Sequence, residues 1–194
     1  MEEIIREDQQ AFLYLNGLGS QPYDYFWLWL SKTWVWIPLY IIFLYLLYKN
    51  FGWKNLLYLL IFIALGVTVS DQLAGIFKNG IMHFRPCNDP AIKGLMRIVK
   101  CGGPYGFYSA HASNTFFIAT FMSFMMGNRY RYLALFLFIW AAFVSYSRIY
   151  IGVHYPMDIL MGASVGFLIG GLFKTLTFKT LDKLEKSRAA GQSL

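Results

Sequence analysis

Residues 130–158, YRYLALFLFIWAAFVSYSRIYIGVHYPMD, join a long apolar run to a polar end. The first part is mostly apolar and aromatic, whereas Ser147, Arg148, His154 and Asp158 come at its end. A charged group at the centre of a bilayer costs on the order of 3 kcal/mol or more, so ionisable residues beside apolar segments usually face one another around a site. The stretch therefore predicts a membrane-spanning helix that ends at a polar site.

The composition of the whole chain is also that of a membrane protein. Of its 194 residues, 57% are hydrophobic and 20% aromatic, whereas only 14% are charged. A soluble core does not bury this much apolar surface, so we expect a bilayer to cover it. Five mostly apolar stretches, each near the roughly 20 residues that a spanning helix needs, lie at residues 26–48, 56–77, 107–126, 130–150 and 159–178. The sequence therefore predicts an all-α integral membrane helical bundle with about five transmembrane helices.

We interpret residues 1–194 as a single membrane domain with three parts. Residues 1–25 form an N-terminal helix and loop, residues 26–180 form the transmembrane bundle, and residues 181–194 form a cytoplasmic tail. The tail alternates charges and ends in small polar residues, which is typical of a helix end that frays into disorder.

The first residues are too acidic for a cleaved signal peptide, because Glu2, Glu3, Glu7 and Asp8 stand where such a peptide has basic residues. Apolar residues recur among the polar ones at near-helical spacing until glycines and Pro22 interrupt the pattern. This pattern predicts an amphipathic helix that lies in the membrane interface. A short sixth span is the alternative, although the run falls below the about 17 residues that a span requires.

The net charge of +7 would indicate a nucleic-acid partner in a soluble protein, but here the cations mark one side of the membrane. They cluster in two short loops and near the C-terminus, at Lys49, Lys54, Arg129, Arg131, Lys174, Lys179, Lys183, Lys186 and Arg188. This side is predicted to face the cytoplasm, which places residues 78–107 and 150–156 outside. Lys93, Arg97 and Lys100 in the outer loop oppose this bias. We expect no nucleic-acid partner.

Both cysteines of the chain, Cys87 and Cys101, lie in the predicted outer loop. In an oxidising compartment they can form a disulfide that closes the loop and contributes roughly 3 kcal/mol to stability. Two free thiols are the alternative if the loop faces a reducing compartment. The spacing of the pair is not a metal-binding signature.

Polar residues collect at the ends of the predicted helices. Lys78 and Arg85 follow the second helix, Ser109 and His111 open the third, and Arg148 ends the fourth. In an up-and-down bundle, all these ends share one face with the polar end of residues 130–158. The polar termini can therefore converge on one pocket while the apolar helix bodies face lipid.

The spacing of these residues resembles the signature of the type 2 phosphatidic acid phosphatase (PAP2) superfamily, which reads KxxxxxxRP, then PSGH, then SRxxxxxHxxxD. Residues 78–86 match the first block and residues 147–158 the third at every defining position. The middle block reads YSAH, with Tyr108 in place of proline and Ala110 in place of glycine. The resemblance implies a membrane phosphatase that uses no metal or other cofactor and forms a phosphohistidine intermediate.

The matched residues carry the chemistry that phosphoryl transfer needs. His154 is the candidate nucleophile, Asp158 can orient its ring, and His111 can protonate the departing oxygen. The candidate phosphate-binding residues act through positive charge or through N–H groups at a helix start, and they are Lys78, Arg85, Ser109, Ala110 and Arg148. Taken singly, each residue has an ordinary role as a headgroup anchor or helix cap.

We therefore expect a metal-independent lipid phosphatase in a bacterial inner (cytoplasmic) membrane, with its site facing the periplasm or exterior. The substrate would be a phospholipid or isoprenoid phosphate in the bilayer, and undecaprenyl pyrophosphate, phosphatidylglycerol phosphate, phosphatidic acid and lipid A phosphates are all candidates. Two alternatives stay open at this point: a lipid phosphotransferase that uses the same histidine, and a non-catalytic anionic-lipid-binding membrane protein. Nothing in the sequence indicates an oligomeric state.

Two polar residues fall outside the three blocks. Asp71 lies seven residues before Lys78 on roughly the same helix face. We predict that it has a supporting structural role and pairs with a cation or a polar neighbour. His83 lies between Lys78 and Arg85, and we interpret it as an interfacial residue.

Overall fold

The computed structural model describes residues 2–127 and 129–191, and these form an all-α protein. Its helices are α1 (Glu2–Gly17), α2 (Gln21–Leu30), α3 (Ile37–Ile81), α4 (Ala110–Met126), α5 (Leu133–Tyr150) and α6 (Pro156–Gly191), with short 3-10 helices at Thr33–Trp36 and Pro86–Asn88. Within the described residues no strand forms, and an isolated bridge pairs Phe84 with Tyr105. The prediction of an all-α membrane bundle is confirmed.

Three of these segments are long and apolar enough to cross a membrane. They are Thr33–Ile81, Leu133–Tyr150 and Pro156–Ala190. The 17-residue α4 is shorter and lies at the centre of the bundle, where it packs against α3, α5 and α6. Most of its side chains are buried, so the other helices separate it from the surroundings.

The long helix α3 changes direction at Gly52. This residue has φ 71° and ψ 170°, a conformation that glycine adopts without steric cost. Leu47 and Leu60, on either side of it, line the same cavity. A straight helix would hold residues 13 positions apart at about 20 Å. The two arms of α3 therefore lie beside each other, and α3 supplies two of the predicted transmembrane segments.

The predicted helix over residues 26–48 is wrong at its start. The structure ends α2 at Leu30 and places a 3-10 turn before α3. Pro38 lies in the first turn of α3, where its missing N–H has no helical partner to lose. The stretch is mostly apolar, but the helix is interrupted between Leu30 and Ile37.

The prediction of a frayed C-terminal tail is also wrong for the described residues. Helix α6 continues to Gly191, and residues 192–194 lie outside the described part of the chain. Lys186 donates to Asp182, one helical turn earlier, at 2.7 Å. The alternating charges at this end are therefore spaced to pair along a helix.

Small residues let α6 approach α4 closely. A Cβ on Gly162 would lie 2.5 Å from the carbonyl oxygen of Ser109, and one on Gly166 would collide with the carbonyl oxygen of Ser113. Glycine at this four-residue spacing allows two helix backbones to touch. Since α4 and α6 run parallel, their N-termini lie side by side at one end of the bundle.

The amphipathic N-terminal helix is present as α1, a 16-residue helix with Phe12 and Asn16 buried. The side-chain amide of Asn16 donates to the carbonyl oxygen of Tyr150 at 2.9 Å and accepts from the backbone N–H of Arg97 at 2.8 Å. These bonds join α1 to the end of α5 and to the loop after α3. Helix α1 therefore covers the same end of the bundle at which α4 and α6 begin.

Candidate active site

The turn between α5 and α6 carries two buried ionisable side chains. Gly152, with φ 88°, lets the chain turn sharply after α5. His154 Nδ1 then lies 3.1 Å from Asp158 Oδ2, which also accepts the backbone N–H of Tyr155 at 3.0 Å. His154 is 2% exposed and Asp158 1%. Because a carboxylate faces Nδ1, that nitrogen carries the ring proton and Nε2 keeps its lone pair.

Arg85 lies against the free nitrogen of that ring. Its Nη1 is 3.4 Å from His154 Nε2, and it donates to the carbonyl oxygen of Val153 at 3.3 Å. Its Nε donates to the carbonyl oxygen of Tyr105 at 3.1 Å. These contacts hold a planar cation beside the atom that has the lone pair.

The loop that carries Arg85 is closed covalently. Cys87 and Cys101 form the predicted disulfide, across a sequence separation of 14. The backbone N–H of Arg85 also donates to the carbonyl oxygen of Pro104 at 2.9 Å. Both ends of the loop are thereby fixed next to the turn between α5 and α6.

Arg148 supplies a second guanidinium from the last turn of α5. Its side chain is 8% exposed, and its Nε has no hydrogen-bond partner among the described residues. Buried donors in proteins are nearly always paired. An unpartnered, buried guanidinium donor is what a site for an anion requires.

Ser109 and Ala110 lie at the start of α4. Ser109 caps the helix, since its Oγ accepts the backbone N–H of Ala112 at 3.4 Å. Its own backbone N–H donates to the carbonyl oxygen of Asp158 at 3.1 Å. The N-terminus of α4, with its free N–H groups and positive dipole end, is therefore directed to the same region as His154.

Lys78 and His111 complete the set. Lys78, in the last turn of α3, is within electrostatic range of Arg85, Arg148 and Asp158. His111 is within electrostatic range of Lys78, Arg148 and His154. The structure thus brings all eight predicted site residues to one end of the bundle.

The surroundings of His154 favour its neutral form. Burial lowers the pKa of His154 from 6.5 to about 4, and the positive charges of Arg85 and Arg148 act in the same direction. The Asp158 carboxylate opposes this shift without cancelling it. At neutral pH the imidazole is therefore uncharged and its Nε2 is a base and nucleophile.

His83 is closer to the site than its sequence position indicated. Its Nδ1 lies 4.0 Å from Asp158 Oδ1, and neither atom has a hydrogen-bond partner among the described residues. Both residues line a cavity of about 220 Å³ beneath α1, together with Asp8. Asp8 accepts the backbone N–H of Met157 at 3.0 Å. Burial and the charge of Asp158 raise the pKa of Asp8 to about 6. No local signal links these residues, because each contact spans many residues of sequence.

Asp71 has the polar neighbour that was predicted. The side-chain amide of Asn114 donates to Asp71 Oδ1 at 2.9 Å. Both residues and His111 line a second cavity, of about 230 Å³, between α3 and α4. A third cavity of about 330 Å³ adjoins it and is lined almost wholly by apolar side chains of α3 and α4.

No group of three or more His, Cys, Asp or Glu side chains able to hold a metal ion occurs in residues 2–127 and 129–191. The charged side chains at the site are instead three cations, Lys78, Arg85 and Arg148, beside the carboxylate of Asp158. Such a site suits a substrate that brings its own negative charge.

Comparison with known proteins points to one family. A model of the PAP2 superfamily matches residues 55–182. The chain is 38% identical over 182 residues to a protein named lipid A 4'-phosphatase from Bacteroides thetaiotaomicron, covering 92% of this chain and 80% of the relative. A protein of the same name from Porphyromonas gingivalis is 35% identical over 175 residues, covering 88% and 72%.

Two crystal structures share the fold. The first is a transmembrane PAP2-type phosphatidylglycerolphosphate phosphatase from Bacillus subtilis, with a TM-score of 0.71, 19% identity and coverage of 92% of this chain and 88% of that one. The second is Aquifex aeolicus LpxE, with a TM-score of 0.62, 23% identity and coverage of 84% and 92%.

Proposed function

This chain belongs to the PAP2 superfamily and is a membrane lipid phosphatase, and we propose that it removes a phosphate ester from lipid A through a phosphohistidine intermediate on His154. The substrate is supported by the two relatives named lipid A 4'-phosphatase, since their similarity extends over most of this chain. The mechanism rests on one observation above all. His154 Nδ1 is held by Asp158, while Nε2 faces the Arg85 guanidinium.

The phosphate group binds among the cations. Lys78, Arg85 and Arg148 neutralise its non-bridging oxygens, where charge is held as the phosphoryl group transfers. The Nε of Arg148, which has no partner in the part of the chain that the structure describes, gains an acceptor from it. Ser109 and the N–H groups at the start of α4, including that of Ala110, hold a further oxygen. A phosphate bound in this way has its phosphorus next to His154 Nε2.

The first chemical step moves the phosphoryl group to the enzyme. The Nε2 lone pair forms a bond to phosphorus while the bond from phosphorus to the lipid oxygen breaks. Asp158 stabilises the imidazolium that develops. His111 gives a proton to the departing oxygen, which leaves as an alcohol. The negative charge of the bound phosphate offsets the nearby cations and so favours the protonated form of His111.

The second step regenerates the enzyme. The neutral His111 accepts a proton from water, whose oxygen bonds to phosphorus as the bond to Nε2 breaks. Inorganic phosphate leaves, and His154 returns to its neutral form with the proton on Nδ1. The overall reaction is hydrolysis of one phosphate ester by one water, and each step uses only side chains at the site.

The proposed location is an inner membrane with the site on the periplasmic face. The Cys87–Cys101 disulfide supports it, because such bonds persist in oxidising compartments. The cationic loops and the end of α6 would then face the cytoplasm. Alkylation of single introduced cysteines in intact cells by a membrane-impermeant reagent tests this orientation, and labelling at the α6 end but not in the outer loop would reverse it.

Phosphate release from purified protein tests the function. The protein, in detergent with EDTA, is given lipid A, phosphatidic acid, phosphatidylglycerol phosphate and undecaprenyl pyrophosphate in turn, beside folded His154→Ala. We expect release to be fastest from lipid A, to survive EDTA and to vanish in the variant. A preference for another lipid would overturn the proposed substrate.

The covalent intermediate has its own test. Rapid acid-free quenching with phosphate-labelled substrate should give a protein-bound label that is stable to base and lost in acid, as expected of a phosphorus–nitrogen bond. The label should be absent from His154→Ala. Release of phosphate in a single turnover, with no protein-bound label at any earlier time, would contradict the proposed mechanism.

A further inference from the structure

The cavity beside His111 has no role in the phosphate chemistry proposed above. It has a volume of about 230 Å³, and its lining includes Thr33, Tyr40, Asp71, His111 and Asn114. We propose that it holds the sugar portion of the departing alcohol, and that Asp71 and Asn114 select leaving groups that bring hydrogen-bond donors. The proposal rests on the function proposed above and specifies how the substrate is chosen.

The Asp71–Asn114 hydrogen bond fixes which atoms face the cavity. A carboxylate only accepts, so the Asn114 amide must direct its NH₂ to Asp71, as the 2.9 Å contact indicates. The Asn114 Oδ1 atom then points away from Asp71, and it is buried without a partner among the described residues. The second oxygen of Asp71 is likewise an acceptor. The second oxygen of Asp71 and Oδ1 of Asn114 are therefore both hydrogen-bond acceptors, beside the second N–H of the Asn114 amide.

These acceptors distinguish the candidate lipids by their leaving groups. Undecaprenyl pyrophosphate leaves a polyprenyl phosphate, whose oxygens are mainly hydrogen-bond acceptors, and phosphatidic acid leaves a diacylglycerol with no further hydroxyl or N–H near the scissile oxygen. Phosphatidylglycerol carries one glycerol hydroxyl. An N-acylated and O-acylated sugar carries hydroxyl and amide N–H donors on the ring itself. Since a buried acceptor left unpaired weakens binding by roughly tenfold or more, the cavity favours the sugar.

The position of the cavity fits this assignment. His111 lines it and is the residue that gives a proton to the leaving oxygen in the proposed mechanism. The leaving alcohol must therefore extend from this point. Tyr40, Asn114 and Ile118 are shared with the adjoining apolar cavity of about 330 Å³. Acyl chains attached to the sugar thus have apolar surface next to the polar cavity.

The test compares two substrates across four proteins. The proteins are wild type, Asp71→Asn, Asn114→Ala and, as a matched control, Ser164→Ala, whose exposed hydroxyl lies on α6 and donates to the carbonyl oxygen of Leu160. For each, kcat/KM is measured on lipid A and on phosphatidic acid, with folding checked by thermal unfolding. We expect the ratio of the two kcat/KM values to fall at least about tenfold in both site variants and to stay constant in Ser164→Ala.

An equal fall of kcat/KM on both substrates would show that the pair only supports the helices, and unchanged kcat/KM values on both would show that it does not touch the substrate. Either result overturns the proposal. If Asp71→Asn does not fold, Asn114→Ala decides the question by the same ratio.

A second readout separates this proposal from the proposed function. Lipid A stripped of its phosphates is added as an inhibitor of phosphatidic acid hydrolysis. We expect inhibition in the wild type and at least about tenfold weaker inhibition in the two site variants. If wild type does not hydrolyse lipid A yet shows this pattern, the proposed function fails and the sugar site stands. If wild type hydrolyses lipid A but the stripped glycolipid inhibits all four proteins equally, the sugar site fails and the function stands.

Discussion

The backbone N–H of Ser109 donates to the carbonyl oxygen of Asp158 at 3.1 Å, which ties the first residue before α4 to the first turn of α6. Two helix N-termini therefore meet at the proposed phosphate site, and each brings a positive dipole end. The close packing at Gly162 and Gly166 makes this contact possible. The phosphate site and the core of the bundle thus depend on the same packing.

Replacing Asp158 with asparagine should reduce kcat by about 10²- to 10⁴-fold while the protein stays folded. An amide can still accept the Tyr155 N–H, but it no longer fixes the proton on His154 Nδ1 or stabilises the imidazolium. Single-turnover phosphate release and labelling of the intermediate measure the effect. Loss of the thermal transition instead of the rate would mean that the carboxylate is needed mainly for folding.

Acid should destabilise the protein through His154. The folded pKa of about 4 lies below the ordinary 6.5, so the unfolded chain binds the proton more readily. The stability that the neutral ring contributes is complete above about pH 6.5 and is lost as the pH falls toward 4. The Tm of wild type should therefore drop more steeply across this window than that of His154→Gln.

The pKa of His154 can also be measured directly by NMR. The chain has three histidines, so ring signals in NMR spectra of labelled protein can be assigned with single variants at the other two positions. The His154 ring should stay neutral well below pH 6. A midpoint near 6.5 would contradict the effect of burial.

Gly162→Ala should lower stability by about 1–3 kcal/mol, because the added methyl group meets the Ser109 carbonyl oxygen and forces α4 and α6 apart. Gly171→Ala on the same helix is the control, since nothing lies within 4 Å of a Cβ there. It should leave stability unchanged or raise it by up to about 1 kcal/mol through helix propensity. Thermal unfolding of both variants in one detergent gives the comparison, and equal Tm values would argue against close packing at Gly162.

Opening the disulfide should raise KM and reduce stability by about 3 kcal/mol. Arg85 lies two residues before Cys87, so a looser loop leaves its guanidinium less fixed beside His154. Reduction with dithiothreitol and the Cys87→Ser/Cys101→Ser double variant should give the same changes. Further reduction of the double variant must have no effect, otherwise the reductant acts elsewhere.

The site could be predicted from sequence where the contacts are local. His154 and Asp158 are one helical turn apart, and only a short turn separates Arg148 from His154. Sequence spacing alone therefore brings the three together. The convergence of Lys78 and His111 followed from helix order in an up-and-down bundle. The long-range contacts could not be predicted in this way. His83 and Asp8 reach Asp158 from distant parts of the chain, through packing of α1 that no local pattern encodes.

The fold, like the site, could be predicted from sequence only in part. Apolar length predicted the bundle, because burial in lipid is a property of composition. The break in the helix between Leu30 and Ile37 was missed, because the residues stay mostly apolar around the point where one helix ends and the next begins. Pro38 was the available signal. The continuation of α6 was missed because its paired charges also fit a solvated tail.

Among the described residues the buried Nε of Arg148 has no hydrogen-bond partner, and this also bears on how the enzyme recovers after each turnover. Inorganic phosphate, the last product in the proposed mechanism, can accept from this donor as well as a substrate phosphate can. Free phosphate should therefore inhibit the enzyme competitively with substrate. The absence of measurable inhibition would contradict this. Feedback of this kind would couple the rate of lipid dephosphorylation to the phosphate supply on the side of the membrane that the site faces.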